Sequence, residues 1–180
     1  MIRETARLLI REYVPEDLEA MQAYCTDPEV TRHLMWGPNT DAQTLSFIRL
    51  TQEYSQEVPR TKYEWAVTLQ ESGELIGGCC LYASGTNGEI GYTLRRDCWG
   101  KGYASEAAAV LLAFGFKELR LHRIYATCRP DNLGSAGVMQ KLGMTREGRL
   151  RQHIRAKDRW MDSEQYSILA HEFEGGQSNV

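Results

Sequence analysis

The sequence predicts one α/β domain of the α+β kind, a mixed and mostly antiparallel central sheet of about seven strands flanked by four helices. Three observations carry this. Segments 63–69, 75–81 and 89–95 each alternate apolar and polar residues at the strand period of two. Short turns join them, Glu71-Ser72-Gly73-Glu74 and Ser84-Gly85-Thr86-Asn87-Gly88, both with hairpin composition. Three strands in such a meander exclude a purely doubly wound parallel sheet. The second observation is strand, glycine-rich turn and apolar helix over 89–119; the third is another strand, turn and helix over 122–143. A chain of 180 residues suits one domain with a real core. No repeat or linker divides it, so 1–180 is read as a single domain.

In chain order, 6–13 reads as a strand with Leu8 and Ile10 on one face. Pro15-Glu16-Asp17 opens a helix, with proline and acids in its first turn; Leu18, Met21 and Tyr24 or Cys25 form its stripe. His33-Leu34-Met35-Trp36-Gly37-Pro38 is a loop ended by Gly-Pro. Thr40 or Asp41 caps a helix over 41–56, with Phe47, Leu50 and Tyr54 as its apolar face and Leu45 and Ile48 as a shorter pair. After the meander, Ala107, Val110, Leu111 and Phe114 recur at helical spacing, and Ala108, Leu112 and Phe116 widen that face toward full burial. His122–Cys128 is a strand. A helix then runs to about Lys141 and stops at Gly143. Strands over 145–154 and 160–169 close the domain, and the tail over 171–180 is expected to be loose.

Composition narrows the function. Net charge is -3 and the sequence pI about 5.8, so a basic footprint for nucleic acid is missing. The start leads into no apolar signal region, no run reaches a membrane span, and the expected location is cytoplasmic. Five cysteines show no Cys-x-x-Cys pair and no histidines at zinc spacing, which reads as free thiols and no metal. Cys98 has no histidine near it in sequence, so packing is its expected role.

Trp99-Gly100-Lys101-Gly102-Tyr103-Ala104-Ser105 joins the strand to the helix. Its glycines let the backbone turn sharply and approach a ligand. The free amides and dipole of a helix start then suit phosphate. A P-loop would need glycine and a hydroxyl where Arg95 and Gly102 stand, and a dinucleotide fingerprint would need glycine at Ser105. Neither fits.

The stretch resembles the acetyl-CoA loop of the GNAT acetyltransferase superfamily, Gln/Arg-x-x-Gly-x-Gly/Ala, with Gly102 and Ala104 at its last fixed positions. Trp99 replaces the usual Gln or Arg, as in the Rim-type ribosomal-protein N-acetyltransferase branch, where Trp-Gly-x-Gly-Tyr-Ala-x-Glu-Ala recurs. The opening Arg7-Leu8-Leu9-Ile10-Arg11 with Pro15-Glu16-Asp17 is similar to that branch too. So are Asn132, Ser135 and Lys141-Leu142-Gly143, and Trp160-Met161-Asp162, although Asp158 stands where glycine is common.

The resemblance implies a GNAT fold and transfer of acetyl from acetyl-CoA to an amine. It implies that the backbone of Tyr92, Thr93 and Leu94 grips the pantetheine and thioester. Amides of Gly100, Lys101, Gly102, Tyr103, Ala104 and Ser105 would hold the pyrophosphate, with the Lys101 side chain either adding charge or facing solvent. Asn132 belongs to the second cofactor signature. Many relatives carry an acid tyrosine where this chain has Met139, so Ser135 is the candidate acid. Glu89 is the candidate base, with water as the alternative. His33, Trp36 and Trp160 are expected to line the acceptor side.

The expected acceptor is a protein N-terminal α-amine, with a small amine such as a polyamine, amino acid or aminoglycoside as the alternative. A CoA-binding module without turnover is the other class. A homodimer is held open. An α-amine titrates near ~7.7–8.0 and a lysine amine near ~10.4, so an N-terminal acceptor needs far less help from a base.

Overall fold

The computed structural model describes residues 2–176. The strands are β1 (Arg3–Glu4), β2 (Leu8–Glu12), β3 (Lys62–Leu69), β4 (Leu75–Ser84), β5 (Asn87–Leu94), β6 (Arg123–Cys128), β7 (Thr145–Ala156) and β8 (Arg159–Leu169). The helices are α1 (Leu18–Cys25), α2 (Pro28–Thr31), α3 (Asp41–Gln56), α4 (Tyr103–Lys117), α5 (Leu133–Lys141) and α6 (Ala170–Gly176). All eight strands form one sheet in the order β1-β2-β3-β4-β5-β6-β8-β7. Neighbours are antiparallel except β5 and β6, which α4 connects as a parallel pair. The mixed, mostly antiparallel class is the expected one. The additional strand is β1, whose two residues are too few to show a period.

Alternation along the strands separates two cores. Trp65, Val67, Leu81 and Ile90 face α4 and α5; Ala66 and Leu75 face α1 and α3. α4 lies close on the sheet because of Gly115, where a Cβ would come within 2.6 Å of Ile124 Cδ1. No helix among the described residues is long and apolar enough to cross a membrane.

Several elements differ from expectation. Pro15–Asp17 is a 3-10 turn before α1, tied down by Arg11 donating twice to buried Asp17 at 2.7 Å. α3 is capped by Thr40, which accepts from Gln43 N while Gln43 Oε1 accepts from Thr40 N, a reciprocal arrangement worth about 1 kcal/mol. Its buried face is Thr44, Ile48 and Thr51, not Phe47, Leu50 and Tyr54. Leu50 is 39% exposed. Thr44 and Thr51 are as buried as Ile48, and the Thr51 hydroxyl donates to Ile48 O at 2.8 Å. The loose tail does not begin at 171: α6 continues to Gly176, with Phe173 stacked 5.1 Å from Phe116. Residues 177–180 lie outside the described residues.

Candidate active site

The parallel pair at the sheet centre is incomplete. β5 and β6 are paired only through Asn87, Gly88 and Glu89 against Arg123, Ile124 and Tyr125. β5 then follows β4 to Leu94 and β6 follows β8 to Cys128, so the two diverge. Toward β6, the β5 backbone past Glu89 has no strand partner. Buried amide groups need acceptors, and a ligand laid into this gap would supply them. Tyr92, Thr93 and Leu94 all lie in the divergent part.

The glycine loop closes the open end. Gly100 and Gly102 have φ of +73° and +85°, a region that costs other residues about 1–2 kcal/mol. Gly102 is the N-cap of α4 and offers no side-chain cap. The first intrahelical bond runs from Glu106 N to Gly102 O. The amides of Tyr103, Ala104 and Ser105 therefore precede the helix ladder and suit an anion.

Trp99 at the start of the loop and Arg7 outside it fix its path. The Trp99 indole donates to Leu94 O at 2.8 Å. Arg7, from the turn before β2, donates to Lys101 O at 2.9 Å and pairs with Glu106 at 2.6 Å. Glu106 also accepts from the Thr5 hydroxyl and Arg7 N, so it is a clamp rather than a free helix-face charge. Sequence reading missed Arg7, which lies 94 residues from its loop partner. The Lys101 side chain is exposed.

At the gap, β5 meets α5. Asn132 caps α5 by accepting from Ser135 N at 3.1 Å. The Tyr92 hydroxyl lies 3.1 Å from both Ser135 O and Ser135 Oγ. If Tyr92 donates to the Ser135 carbonyl, the serine proton is left for the Tyr92 oxygen or for a group in the gap. Burial pushes the Tyr92 phenol up to about 12, the Ser135 contact partly opposing it, so it stays protonated at neutral pH. Met139 is fully buried. Tyr92 thus brings a phenol to Ser135, a contact its alternation alone did not reveal.

Glu89 sits at the closed end, where it accepts from the Tyr125 hydroxyl at 3.4 Å. Strand alternation puts it on the face opposite Tyr92. On its own face lies Glu64, 7% exposed and hydrogen-bonded by Tyr82. Burial raises this carboxyl to about 7. Cys98 is buried and burial raises its thiol, which suits packing. Among the described residues no group of three or more His, Cys, Asp or Glu could hold a metal.

Beside the β6–α5 loop is a cleft of about 390 Å³ lined by Arg32, His33, Arg129, Asp131, Trp160 and Asp162 among others. Its roof is the β7–β8 hairpin, held down by Lys157 Nζ donating to Thr31 O at 2.7 Å. His33 and Trp160 thus share one cleft. Trp36, 38% exposed, is not in its lining.

A gap between diverging strands that opens onto free helix amides suits one long ligand with phosphate at one end and a thioester at the other. It defines an acyl-CoA acyltransferase. A family model described as an acetyltransferase (GNAT) domain matches residues 7–145. The uncharacterized N-acetyltransferase YnaD of Bacillus subtilis (strain 168) is 37% identical over 171 residues, 94% of this chain and 97% of its own. The crystal structure of a GNAT-family acetyltransferase from Bacillus anthracis superposes with a TM-score of 0.84 at 35% identity, covering 96% of this chain and all of its own. At the level of fold alone, Mycobacterium smegmatis RimJ in complex with CoA-disulfide matches with a TM-score of 0.80 at 23% identity, over 92% of this chain and 83% of that one. The chain belongs to the GNAT acetyltransferase family and is an N-acetyltransferase of the acyl-CoA-dependent kind, with Rim-type enzymes among its structural neighbours.

Proposed function

We propose that the chain acetylates the α-amine of a peptide N-terminus by direct attack on acetyl-CoA. The residues present fit that cosubstrate: the diverging strands leave backbone groups without partners, and α4 begins on an uncapped glycine. When bound, acetyl-CoA supplies an activated acyl carbon and a thiolate leaving group. The amides of Gly100 to Ser105 bind its pyrophosphate. The β5 backbone at Tyr92, Thr93 and Leu94 holds the pantetheine and steadies the carbonyl oxygen as charge develops there.

Ser135, positioned by Tyr92 and Asn132, donates a hydrogen bond toward the departing sulfur. A thiol titrates near ~8.5. Full proton transfer from a phenol near 12 would be uphill by about 3.5 pH units, roughly 5 kcal/mol. The hydroxyl pair therefore stabilises the thiolate without surrendering a proton outright. On the other face, Glu89 or water takes the amine proton. A tenth or so of an α-amine is already neutral at pH 7 given a pKa near ~7.7–8.0, so the demand on that base is small.

The observation that carries the acceptor choice is the cleft itself. Four arginines, Arg32, Arg129, Arg149 and Arg159, face two aspartates there. Such a lining repels polyamines and aminoglycosides, while Trp160 and His33 offer walls to a peptide. Steady-state acetyl-CoA turnover with N-terminal peptides, spermidine, free amino acids and an aminoglycoside tests the reading. Peptides should be the best acceptors. Rapid spermidine acetylation with no peptide turnover would overturn it, and no turnover with any amine would leave a CoA-binding module.

A further inference from the structure

The cleft carries more positive charge than its own acids can neutralise. Asp131 already faces Arg32 at 3.8 Å and His33 at 3.5 Å. Asp162 is taken by Arg149 at 2.8 Å and by Gln152 N at 2.8 Å. Arg129 and Arg159 have no ion pair among the described residues.

Arg129 is the sharper case. It follows directly on β6 and is 7% exposed. Nη2 donates to Ser163 Oγ at 2.6 Å, and that oxygen also meets His153 Nδ1 at 2.8 Å. Nη1 is buried with no partner. Burial disfavours the charged guanidinium and lowers its pKa, though it remains a cation at neutral pH. A buried cationic donor left unsatisfied is expensive. An anion entering the cleft would relieve it, and arginine pairs best with a planar carboxylate. Carboxylate is the anion an unmodified peptide carries.

The position of the carboxylate follows from the loop. Arg129 and Asp131 stand just before Asn132, which holds Ser135. An extended peptide advances about 3.3–3.6 Å per residue, so a peptide running from an amine beside Ser135 along this loop would bring its second or third side chain toward the cleft. We propose that this cleft selects acceptor peptides with aspartate or glutamate at the second or third position, Arg129 and Arg159 receiving the carboxylate. This rests on the peptide-acceptor reading above.

The test uses the full chain and peptides that differ only at positions two and three, carrying Ala, Glu or Lys. kcat/KM should be about tenfold or more higher for Glu than for Ala, the scale of a hydrogen bond to a charged group. Lys should fall below Ala, and added salt should compress the range. Arg159→Ala, on an exposed residue, should move the Glu-to-Ala ratio toward one. Arg129→Gln should do so more strongly if its melting temperature shows it folded.

Equal turnover of Glu, Ala and Lys peptides by the wild type would overturn the charge selection and leave the N-terminal reading standing. Free glutamate acetylated in an Arg159-dependent way, with no peptide turnover, would overturn the peptide acceptor and retain the carboxylate. Spermidine turnover alone would overturn both.

Discussion

Ser135 and Tyr92 share one contact, so their substitutions should not act independently. Ser135→Ala should lower kcat about tenfold or more with little change in acceptor KM, the scale of losing a hydrogen bond to a developing charge. Tyr92→Phe should cost a similar factor, and the double variant less than the product of the two. Wild-type kcat in Ser135→Ala would remove it from the chemistry. Glu64 gives a stability signature instead. Its folded pKa is raised from 4.5 to about 7 by burial, so the folded state binds a proton that the unfolded state has released. Its contribution is fully present below about 4.5, declines as pH rises to about 7, and is flat above. The loss is on the order of 3 kcal/mol. Melting curves at pH 5 and pH 8 should show that Glu64→Gln, which keeps a partner for Tyr82, removes this part of the decline; an unchanged decline would contradict the burial argument. Asn132 and Ser135 were legible because their spacing is local. Arg7, Tyr92 and Arg129 act through partners 34 to 94 residues away, and no local pattern announces such pairs.

At the scale of elements, the turn between β5 and α4 should hold cofactor through backbone. Gly102→Val places a β-branched residue at φ +85° and near Arg7 Nη2, 3.3 Å from the added Cβ. Titration calorimetry should show a sharp fall in acetyl-CoA affinity while circular dichroism stays native. Unchanged affinity would take the loop out of the site. The meander, both strand–turn–helix units and the closing hairpin were readable because period two and period 3.6 differ plainly over about six or more residues. Where apolar identity misled, as on α3, threonines were buried and Leu50 was left out. β1 and α2 are two and four residues long, below the length at which any period registers.

At the scale of the molecule, net charge conceals local charge. A chain at -3 holds an arginine-rich cleft because its acids are spent elsewhere, on Arg3, Arg60, Arg95 and Arg146 among others. The divergence of β5 from β6 is likewise a property of the whole sheet: strand patterns were visible in the sequence, but the point at which pairing ends depends on partners far apart in the chain. On the proposed reading these features would set two ends of a reaction path, with the thioester in the gap and the acceptor in the cleft. The most direct test is to offer one peptide with a free N-terminus, glutamate at position two and an internal lysine, and to locate the acetyl group by mass spectrometry across pH. The acetyl should appear on the α-amine, kcat/KM should rise with an apparent pKa near ~8, and Glu89→Gln should cost little. Acetyl on the lysine amine, with a large Glu89→Gln deficit that shrinks at high pH, would contradict the account.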